Sequence, residues 1–479
     1  MDIEEFATFC KKKGIAFRSA DAYGGYAGFY DYGPLGARIK RNVVDAWLKF
    51  LDRRNIVPFD GTIVTNPKVW EASGHVATFG DLMLTTVKTR TKVRADHFIE
   101  DSLGIPADGM SADEIQTLID DNKLQYNGED FEPVQQFNLM FQTQVGAVEG
   151  NTAYLRPETA QSIFAQFALI KETSRLKPPF GVCQVGKAYR NEISPRDFLF
   201  RLREFNQMEM EFFVHPEKGC ELSNDLLATP ISVLSEDHQN AGADAEEYTF
   251  QWFVDKGVNT WQVYWLYEYY QFYRCQLGVS AEHLRVREHV SKELSHYSSA
   301  TFDIEYKFPF GFKEVLGVAH RGDYDLQTHA KHSGMNVTVV DDATQTKFVP
   351  HCIEPAHGVS RVMLMVLFEA YTQDDRGHVN LSLPVSDAPF TVAVLPLVKN
   401  KEHLVAKAEE VFALLKEKYR VTYDASGSIG RRYARADEMG VPYCVTVDFE
   451  SLEDGCVTVR NRDTMQQERV AIQDLHTHM

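Results

Sequence analysis

The chain has 479 residues, of which 44% are apolar and 25% are charged. This balance, together with 31 Phe, 21 Tyr and 5 Trp, is typical of a globular protein and argues against disorder. The length predicts two or three domains. The longest wholly apolar run, VMLMVLF at 362–368, is too short to span a membrane, so no membrane association is expected.

The N-terminus and the cysteines favour a cytoplasmic protein. The chain opens Met-Asp-Ile-Glu-Glu, which is acidic and therefore unlike a secretory signal or a transit peptide. The seven cysteines are an odd number, lie far apart and form no Cys-x-x-Cys pair. We expect reduced thiols, with neither a disulfide framework nor a structural zinc site.

The acidic excess is unevenly distributed along the chain. The formal net charge is −18, but residues 388–479 carry 12 Lys+Arg against 14 Asp+Glu. Nearly all of the excess therefore lies in the first 387 residues. Such a charge argues against a nonspecific nucleic-acid binder, whereas local basic patches would suit a selective polyanionic partner.

The first 150 residues show three patterns. A Gly/Tyr-rich stretch covers 24–36, where Tyr26, Tyr30 and Tyr32 are expected to pack rather than to form a nucleotide loop. A helical pattern follows at about 35–54. Residues 95–150 resemble an insertion, with a short helix that Ser111 would cap.

The middle of the chain alternates between strand-rich and helix-rich segments. Residues 151–214 favour strands, 215–300 predict two or three helices, and 300–371 return to strands before a final helix. The helix at 261–273 is unusually aromatic. Residues 384–389, bounded by two prolines, are expected to form a linker.

The pattern changes after this linker. Strands are predicted at 390–395, 421–423, 443–447 and 457–459, and helices at 401–419 and 431–439. Alternating strands and helices over about 90 residues indicate a small α/β domain. We therefore divide the chain into a domain at 1–387, with insertions at about 95–150 and 215–300, and a domain at 388–479.

The stretch 182–214 predicts two strands around a loop at 193–200. Alternation places Leu202, Met208, Met210 and Phe212 on an apolar face of the second strand. The other face is charged around one aromatic ring and consists of Arg201, Arg203, Phe205, Gln207, Glu209 and Glu211. Arg190 and Glu192 share a face of the first strand.

Two interpretations of this polar face are open. A solvated hairpin with cross-strand ion pairs explains any single Arg–Glu pair. The whole set also suits a mononucleotide, since Arg binds phosphate, a Phe ring stacks on a base and Glu accepts from an exocyclic amine. The chain contains no G-x-x-x-x-G-K-[ST] loop.

A second nucleotide signal lies where a strand at 348–355 gives way to a helix that begins at His357 or Gly358. Arg361 falls in the first helical turn, where unpaired N–H groups and the helix dipole favour an anion. A cation there costs about a few tenths of a kcal/mol unless an anion compensates. Arg361 is therefore either an exposed side chain or a phosphate ligand.

These segments resemble the three motifs of the class II aminoacyl-tRNA synthetases. The helix at 35–54 followed by IVTNP at 63–67 resembles motif 1, YRNE at 189–192 with Arg201 and Phe205 resembles motif 2, and EPAHGVSR at 354–361 resembles motif 3. Within that class the chain resembles the dimeric glycyl-tRNA synthetases. The matching stretches are YGGYAGFYDYGPLG at 23–36, WEASGH at 70–75, RPETAQ at 156–161, RNEISPR at 190–196, DIEY at 303–306 and SGSIGRRYAR at 426–435.

The resemblance implies an α+β protein, in which a class II antiparallel-sheet catalytic domain with helical insertions precedes a C-terminal α/β anticodon-binding domain. It implies a homodimer formed through motif 1. The implied activity is ligation: glycine is activated with ATP, pyrophosphate leaves, and glycine moves to the 3′ end of its tRNA. ATP and Mg²⁺ are the implied cofactors.

The resemblance also implies an ATP site. Arg190 would hold the α-phosphate, Arg361 would bind the γ-phosphate, and these two are the implied catalytic residues. Phe205 would stack on adenine, Glu192 would accept from its amino group, and Glu314 would be the Mg²⁺ carboxylate. The remaining implied contacts are Asn191, Phe200, Arg201, Val315, Gly358 and Ser360.

Glycine offers only an ammonium, a carboxylate and two hydrogens to its pocket. By resemblance Glu158, Glu209 and Glu354 would hold the ammonium, and Arg94 and Arg321 would serve the carboxylate. The other implied contacts are Phe205, Gln207, Ala356 and Gly358. Larger amino acids would be excluded sterically. An alternative role for Glu158, compatible with the first, is to cap the following helix.

Three positions depart from the family pattern. Ala356 stands where the family commonly has Ser, His357 where a small or apolar residue is usual, and Gly322 where Thr is common. We expect Ala356 to loosen the rejection of alanine slightly.

Five arginines are the implied anticodon contacts of the C-terminal domain: Arg431, Arg432, Arg435, Arg460 and Arg462. Single-stranded bases are readable by stacking and by contacts to their edges. A solvated basic face without any RNA contact is an equally ordinary explanation for each of them.

Three other functions compete with this one. An accessory subunit that has lost the chemistry would show erosion of the ATP-binding set, which is present in full here. A synthetase for proline, threonine, serine or histidine would share the motifs, but the glycine-type stretches oppose it. A free-standing adenylating ligase would not need residues 390–479.

Overall fold

The computed structural model describes residues 2–52, 56–105, 107, 109–147, 150–291 and 300–479. Among the helices of these residues, none is both long enough and apolar enough to cross a membrane. The last two residues of the helix predicted at 35–54, Arg53 and Arg54, lie outside the described part of the chain.

The N-terminal third combines short strands with one long helix. Its elements are α1 (Ile3–Lys13), β1 (Ala16–Arg18), β2 (Tyr30–Tyr32), α2 (Pro34–Asp52), β3 (Ile56–Pro58), β4 (Val64–Thr65), α3 (Pro67–Ala72), α4 (His75–Thr78), β5 (Gly80–Thr85), β6 (Lys92–Arg94), α5 (Ala95–Leu103), α6 (Ala112–Asn122), β7 (Gln135–Asn138), β8 (Phe141–Gln144) and β9 (Thr152–Leu155). The helix α2 confirms the helical pattern predicted after the Gly/Tyr-rich stretch.

The middle of the chain supplies most of a large sheet. Its elements are α7 (Ala160–Thr173), β10 (Phe180–Tyr189), β11 (Glu204–Val214), α8 (Asn224–Ala228), β12 (Pro230–Leu234), α9 (Glu236–Ala241), β13 (Glu246–Thr249), α10 (Gln251–Asp255), α11 (Thr260–Gln271), β14 (Leu284–Glu288), β15 (Ala300–Phe308), β16 (Gly311–Gly322), α12 (Tyr324–Ser333), β17 (Val339–Val340), β18 (Lys347–Phe348), β19 (His351–Gly358), α13 (Val359–Ala370), β20 (Tyr371–Gln373) and β21 (Val379–Leu381). The aromatic helix predicted at 261–273 is α11, which continues into a π-helical turn.

Nine strands form this central sheet in the order β13-β12-β14-β15-β16-β19-β11-β10-β3. All of its pairings are antiparallel except β10 with β3 and β12 with β14. The helices α2, α11 and α13 pack on one face of the sheet. On the opposite face α7 contacts β11 and α12 contacts β16, and the rest of this face is left for a site.

The strand β11 shows why this face differs from the core. Met208 and Met210 are fully buried in the main hydrophobic core, as the alternation predicted. Gln207 and Glu209 point to the other side, yet they are also buried, at 7% and 2% exposure. The interpretation of this face as a solvated hairpin is therefore wrong for the part of the strand that carries these two residues.

The first insertion has a small core of its own. The strands β6, β5 and β7 form a three-stranded sheet, and Leu84, Ile99 and Ile115 pack beneath it. Ser111 caps α6 as predicted: its hydroxyl accepts from the Glu114 N–H, and the Glu114 carboxylate accepts from the Ser111 N–H in return. The strands β5 and β6 precede residue 95, so this sheet begins before the predicted insertion.

The C-terminal segment forms a separate five-stranded sheet in the order β23-β22-β24-β25-β26. Its elements are β22 (Val392–Pro396), α14 (Glu402–Lys416), β23 (Val421–Tyr423), α15 (Ile429–Glu438), β24 (Tyr443–Val447), α16 (Ser451–Asp454), β25 (Cys456–Asn461) and β26 (Gln467–Ala471). The central strand β22 pairs in parallel with both β23 and β24. The predicted α/β alternation is confirmed.

Candidate active site

A cavity of about 290 Å³ opens on the polar face of the central sheet, above β11, β16 and β19. Antiparallel pairing places Glu209 opposite Ala356, and Ala356 opposite Gly317, so three strands form one wall. Most of the residues predicted for ATP and glycine line this single cavity: Glu158, Arg190, Glu192, Phe200, Arg201, Phe205, Gln207, Glu209, Glu314, Arg321, Glu354, Ala356, Gly358, Ser360 and Arg361.

One end of the cavity combines an aromatic ring with two arginines. The Arg190 guanidinium lies 5.4 Å from the centre of the Phe205 ring, and its Nε donates to the Pro157 carbonyl at 3.1 Å. Arg201 donates to the Glu192 carboxylate at 2.8 Å. A flat ring beside fixed guanidiniums is the arrangement that a base and its phosphates require.

Arg361 occupies the third position of α13, whose N-cap is Gly358. Its Nη1 lies 3.1 Å from a carboxylate oxygen of Glu314, and its guanidinium lies 4.4 Å from the centre of the Phe200 ring. The anion that compensates a cation in this first turn is therefore Glu314. Desolvation, the largest single effect, raises the pKa of Glu314, but Arg361 together with His289 and Arg190 outweighs it, so the pKa is lowered.

The other end of the cavity holds three buried carboxylates: Glu158, Glu209 and Glu354. Glu209 accepts from the Thr159 N–H at 3.0 Å and from the Thr159 hydroxyl. Glu354 accepts from Arg321 at 2.9 and 3.1 Å. These contacts fix the carboxylates but leave a strong local excess of negative charge.

Glu158 does not cap the helix that follows it. Its carboxylate accepts from the side-chain amide of Gln161 at 3.1 Å and lies 3.3 Å from Nε2 of His75. The N-cap of α7 is Thr159. Glu158 therefore lies in the cavity wall and does not have the alternative capping role.

The three carboxylates hold protons with different strengths. Burial and the neighbouring carboxylates raise the pKa of Glu354 to about 8, although Arg321 opposes this shift. Burial and the Glu158 carboxylate raise the pKa of Glu209 in the same direction. For Glu158, burial acts upward, but His75 and Arg321 outweigh it and lower the pKa. An incoming small cation would stabilise the ionised forms of all three.

The comparisons with known proteins match this architecture. Residues 141–370 match the tRNA synthetase class II core domain (G, H, P, S and T), and residues 391–479 match the anticodon binding domain. The chain is 42% identical to the glycine–tRNA ligase of Alkaliphilus oremlandii, over 100% of this chain and 97% of that protein. The corresponding enzyme of Clostridium perfringens is 41% identical over 99% of this chain and 97% of its own length.

The chain belongs to the glycine–tRNA ligase family. A further member, from Staphylococcus haemolyticus, is 40% identical over 100% of this chain and 98% of that protein. The class II synthetase fold with a C-terminal anticodon-binding domain, which the motifs implied, is thereby confirmed.

Three residues expected in the family's active site do not line the cavity. Val315 is fully buried in the main core, since it alternates with Glu314 along β16. Asn191 uses its backbone N–H to bind the Leu139 carbonyl at 2.7 Å. Arg94 lies at the end of β6 and donates to Asp96 at 2.6 and 2.8 Å. The expectation that Arg94 meets the glycine carboxylate is not supported by this placement.

Several cavity residues were not given a role from the sequence. His289 lies 2.7 Å from the Asp303 carboxylate, and both line the cavity. Burial raises the pKa of Asp303 to about 6, although His289 opposes the shift. His75 and Asp325 fix Glu158 and Arg321, respectively, from behind. His75 lies in the stretch WEASGH and Asp303 in the stretch DIEY. The resemblance of these stretches to the family was the only indication in the sequence that the two residues belong to the site.

The C-terminal arginines do not share one solvated face. Arg432, Arg460 and Arg462 are 2%, 6% and 2% exposed. Arg460 pairs with the buried Asp437 carboxylate at 2.7 and 2.9 Å, and Arg462 donates to the carbonyls of Gly440 and Leu383. The expectation that these three contact the anticodon is wrong, because their guanidinium groups are buried and bind carbonyl or carboxylate oxygens inside the protein.

The other two arginines remain accessible. Arg431 is exposed at the start of α15. Arg435, one turn further along the helix, pairs with Asp424 at 2.6 Å and keeps 38% of its side chain exposed. These are the two predicted anticodon contacts that the structure leaves at the surface.

Proposed function

We propose that this protein activates glycine with ATP, forming glycyl-adenylate and pyrophosphate, and then transfers glycine to the 3′ end of its tRNA. One observation supports this most directly: a single cavity contains the arginines and aromatic ring of a nucleotide site at one end and three buried carboxylates at the other. Family membership fixes the same activity independently, since the matched relatives are glycine–tRNA ligases.

The first step needs no general base. The glycine carboxylate is already ionised at neutral pH and attacks the α-phosphorus directly. Catalysis is therefore positioning and charge stabilisation. Arg190 would bind the α-phosphate beside adenine stacked on Phe205, and Arg361 would bind the γ-phosphate.

The cavity suits Mg²⁺ next to the γ-phosphate end. Glu314 offers a partly exposed carboxylate, 46% accessible, beside Arg361. An oxygen ligand of this kind, completed by phosphates, matches the preference of Mg²⁺. When bound, Mg²⁺ would neutralise phosphate charge, while Arg361 and Glu314 fix the end of the triphosphate.

Glycine would bind with its ammonium against Glu158, Glu209 and Glu354. Its carboxylate must lie next to the α-phosphate and therefore near Arg190. Arg321, which we expected at the glycine carboxylate, already faces Glu354 and Asp325 and would act by positioning Glu354. Ala356 lines the cavity at this end. We therefore still propose that Ala356 slightly loosens the rejection of alanine.

The remaining proposals concern the whole molecule. We propose that the protein is a cytoplasmic homodimer without structural zinc, that its domains meet between residues 387 and 388, and that the second domain reads the anticodon. The motif 1 resemblance of α2 supports the dimer. The match of residues 391–479 to the anticodon binding domain supports the tRNA contact, with Arg431 and Arg435 as its accessible arginines.

The test is amino-acid-dependent exchange of pyrophosphate into ATP, with glycine compared against alanine, serine, proline and threonine. We expect exchange with glycine alone and its loss in Arg190→Met. Exchange with another amino acid would contradict the glycine assignment. No exchange from a folded protein that binds tRNA would indicate an accessory subunit. Exchange with glycine but no transfer to tRNA would indicate a free-standing adenylating ligase.

A further inference from the structure

Two tyrosines of the N-terminal Gly/Tyr-rich stretch project into solvent. Tyr23 and Tyr26 are 94% and 78% exposed, the highest values among the exposed large hydrophobic side chains of the described residues. The expectation that Tyr26 packs is wrong, whereas Tyr30 and Tyr32 do pack against the main core. Tyr26 has only an edge contact with the Phe29 ring, at 6.5 Å. Two exposed rings three residues apart in the sequence suit a surface that is covered in a complex.

The loop that carries these rings is held in a defined conformation. The Tyr23 N–H donates to the Ala20 carbonyl at 2.9 Å, which closes a short helical turn. Gly24 ends the turn in the left-handed region, with φ of 87°. An ion pair of 3.0 Å between Lys11 and Asp21 fixes the base of the loop. Because these contacts fix the loop backbone, binding to it should cost little conformational entropy.

The loop also contacts the rim of the nucleotide cavity. Arg203 donates through its backbone N–H to the Gly28 carbonyl at 2.9 Å and through Nη1 to the Ala27 carbonyl at 3.1 Å. Its Nε donates to the carbonyl of Glu192 at 2.9 Å. Gly28 approaches Pro195 so closely that an added Cβ would lie 2.8 Å from the proline Cβ. Tyr26 is thus only two residues along the chain from Gly28, which Arg203 links to Glu192 in the cavity wall.

A second cavity, of about 200 Å³, lies between the loop and the nucleotide cavity. Arg18 and Arg196 line it, and Arg201 lines both cavities. Arg18 donates to the Gly25 carbonyl at 3.2 Å, and Arg196, half-exposed, lies 3.6 Å from Asp197. Three arginines thus line one cavity on a chain whose net charge is −18, so the local charge suits a polyanion.

We propose that Tyr23 and Tyr26 form a stacking platform for unpaired bases at the 3′ end of the tRNA, and that Arg18 and Arg196 bind phosphates of the same strand. This inference rests on the proposed function, because it needs a 3′ end that must reach the adenylate. Unpaired bases stack on aromatic side chains with little dependence on sequence, and arginines hold the strand. Arg201 lines both cavities, so a strand bound at the platform would pass Arg201 on its way to the nucleotide cavity.

The first experiment separates the platform from the chemistry. The double variant Tyr23→Ala/Tyr26→Ala is compared with the matched control Tyr23→Phe/Tyr26→Phe, which keeps both rings. We expect glycine-dependent ATP–pyrophosphate exchange without tRNA to stay at the wild-type level in both. The KM for tRNA in aminoacylation should rise about fivefold to hundredfold in the alanine variant and stay near wild type in the phenylalanine variant. An unchanged KM in the alanine variant would overturn the inference.

The second experiment identifies what the rings contact. Binding of intact tRNA is compared with binding of tRNA trimmed of its unpaired 3′ nucleotides. We expect trimming to weaken binding to the wild type and to the phenylalanine variant more than to the alanine variant, which has already lost the stacking contacts and keeps only the arginine contacts. If the alanine variant instead dissociates into a smaller species during sedimentation, the rings belong to a contact between two copies, and the inference fails. A wild-type protein without glycine-dependent exchange would overturn the proposed function itself.

Discussion

Arg321 donates to both carboxylate oxygens of Glu354, at 2.9 and 3.1 Å, while its opposite edge donates to Asp325 at 2.8 and 2.9 Å. Arg321 is 2% exposed, so these contacts are almost completely shielded from water. A buried guanidinium between two carboxylates fixes their geometry and offsets part of their repulsion. The position of Glu354 in the proposed ammonium site therefore depends on Arg321.

The first prediction concerns this arginine. Arg321→Met leaves the buried Asp325 carboxylate without its cation and removes both hydrogen bonds to Glu354, so the free energy of unfolding should fall by about 3–5 kcal/mol. The measurement is equilibrium unfolding in urea. As a control, Arg469→Met removes a surface arginine that pairs with three carboxylates, those of Asp448, Glu450 and Asp454. The control should lose no more than about 1 kcal/mol. Equal losses in the two variants would contradict the special role of Arg321.

The second prediction follows from the raised pKa of Glu354. Because that pKa is about 8, the carboxyl holds a proton at pH 6.5 that the glycine ammonium must displace. At saturating ATP and Mg²⁺, the KM for glycine should fall as the pH rises from about 6.5 to 8.5 and then level off. Glu354→Gln should remove this dependence. A wild-type KM that is constant over this range would refute the prediction.

The raised pKa of Glu354 also makes the free energy of unfolding decrease as the pH rises. The folded state holds the Glu354 proton more tightly than the unfolded chain, where the pKa is near 4.5. Its stabilising contribution is therefore complete below the unfolded pKa and is lost as the pH rises through the folded pKa of about 8. Unfolding in urea at pH 6 and pH 8.5, with Glu354→Gln as the comparison, measures this contribution.

The third prediction concerns the Arg361–Glu314 pair. Glu314→Gln keeps the size of the side chain but removes the charge proposed to hold Mg²⁺. Exchange of pyrophosphate into ATP should fall about a hundredfold or more at fixed Mg²⁺, and the Mg²⁺ concentration for half-maximal rate should rise. Glu410→Gln, an exposed surface change on α14, should alter neither quantity. A lower rate with an unchanged Mg²⁺ dependence would show that Glu314 does not hold the metal.

The sequence predicts those parts of the fold and site that follow from local pattern. Alternation along β11 correctly separated Met208 and Met210 from Gln207 and Glu209. It could not show that the polar face is buried, because Thr159 at the start of α7 contacts this face and donates to Gln207 and Glu209, which lie 48 and 50 residues further along the chain. The pair of His289 and Asp303 was missed because it forms only when β14, which ends directly before His289, pairs with β15, which contains Asp303.

Surface positions were less predictable than strand faces. Tyr26 follows a pattern that also occurs in packed loops, and the sequence does not show that its ring is exposed. Arg432, Arg460 and Arg462 look like a basic cluster in the sequence. Their burial depends on carbonyls and on Asp437, which the sequence does not place beside them.

The last prediction separates two adjacent arginines of α15. Arg432 donates to the carbonyls of Ala425 and Gly427 at 2.9 and 2.7 Å and to that of Pro396. Its removal leaves the buried Pro396 carbonyl unsatisfied, at a cost of about 1–3 kcal/mol. Arg432→Ala should therefore lower Tm clearly. Arg431→Ala should leave Tm unchanged, raise the KM for tRNA several-fold, and spare glycine-dependent exchange. Loss of exchange and transfer to the same extent in Arg431→Ala would argue against an anticodon role, because only the transfer step needs tRNA.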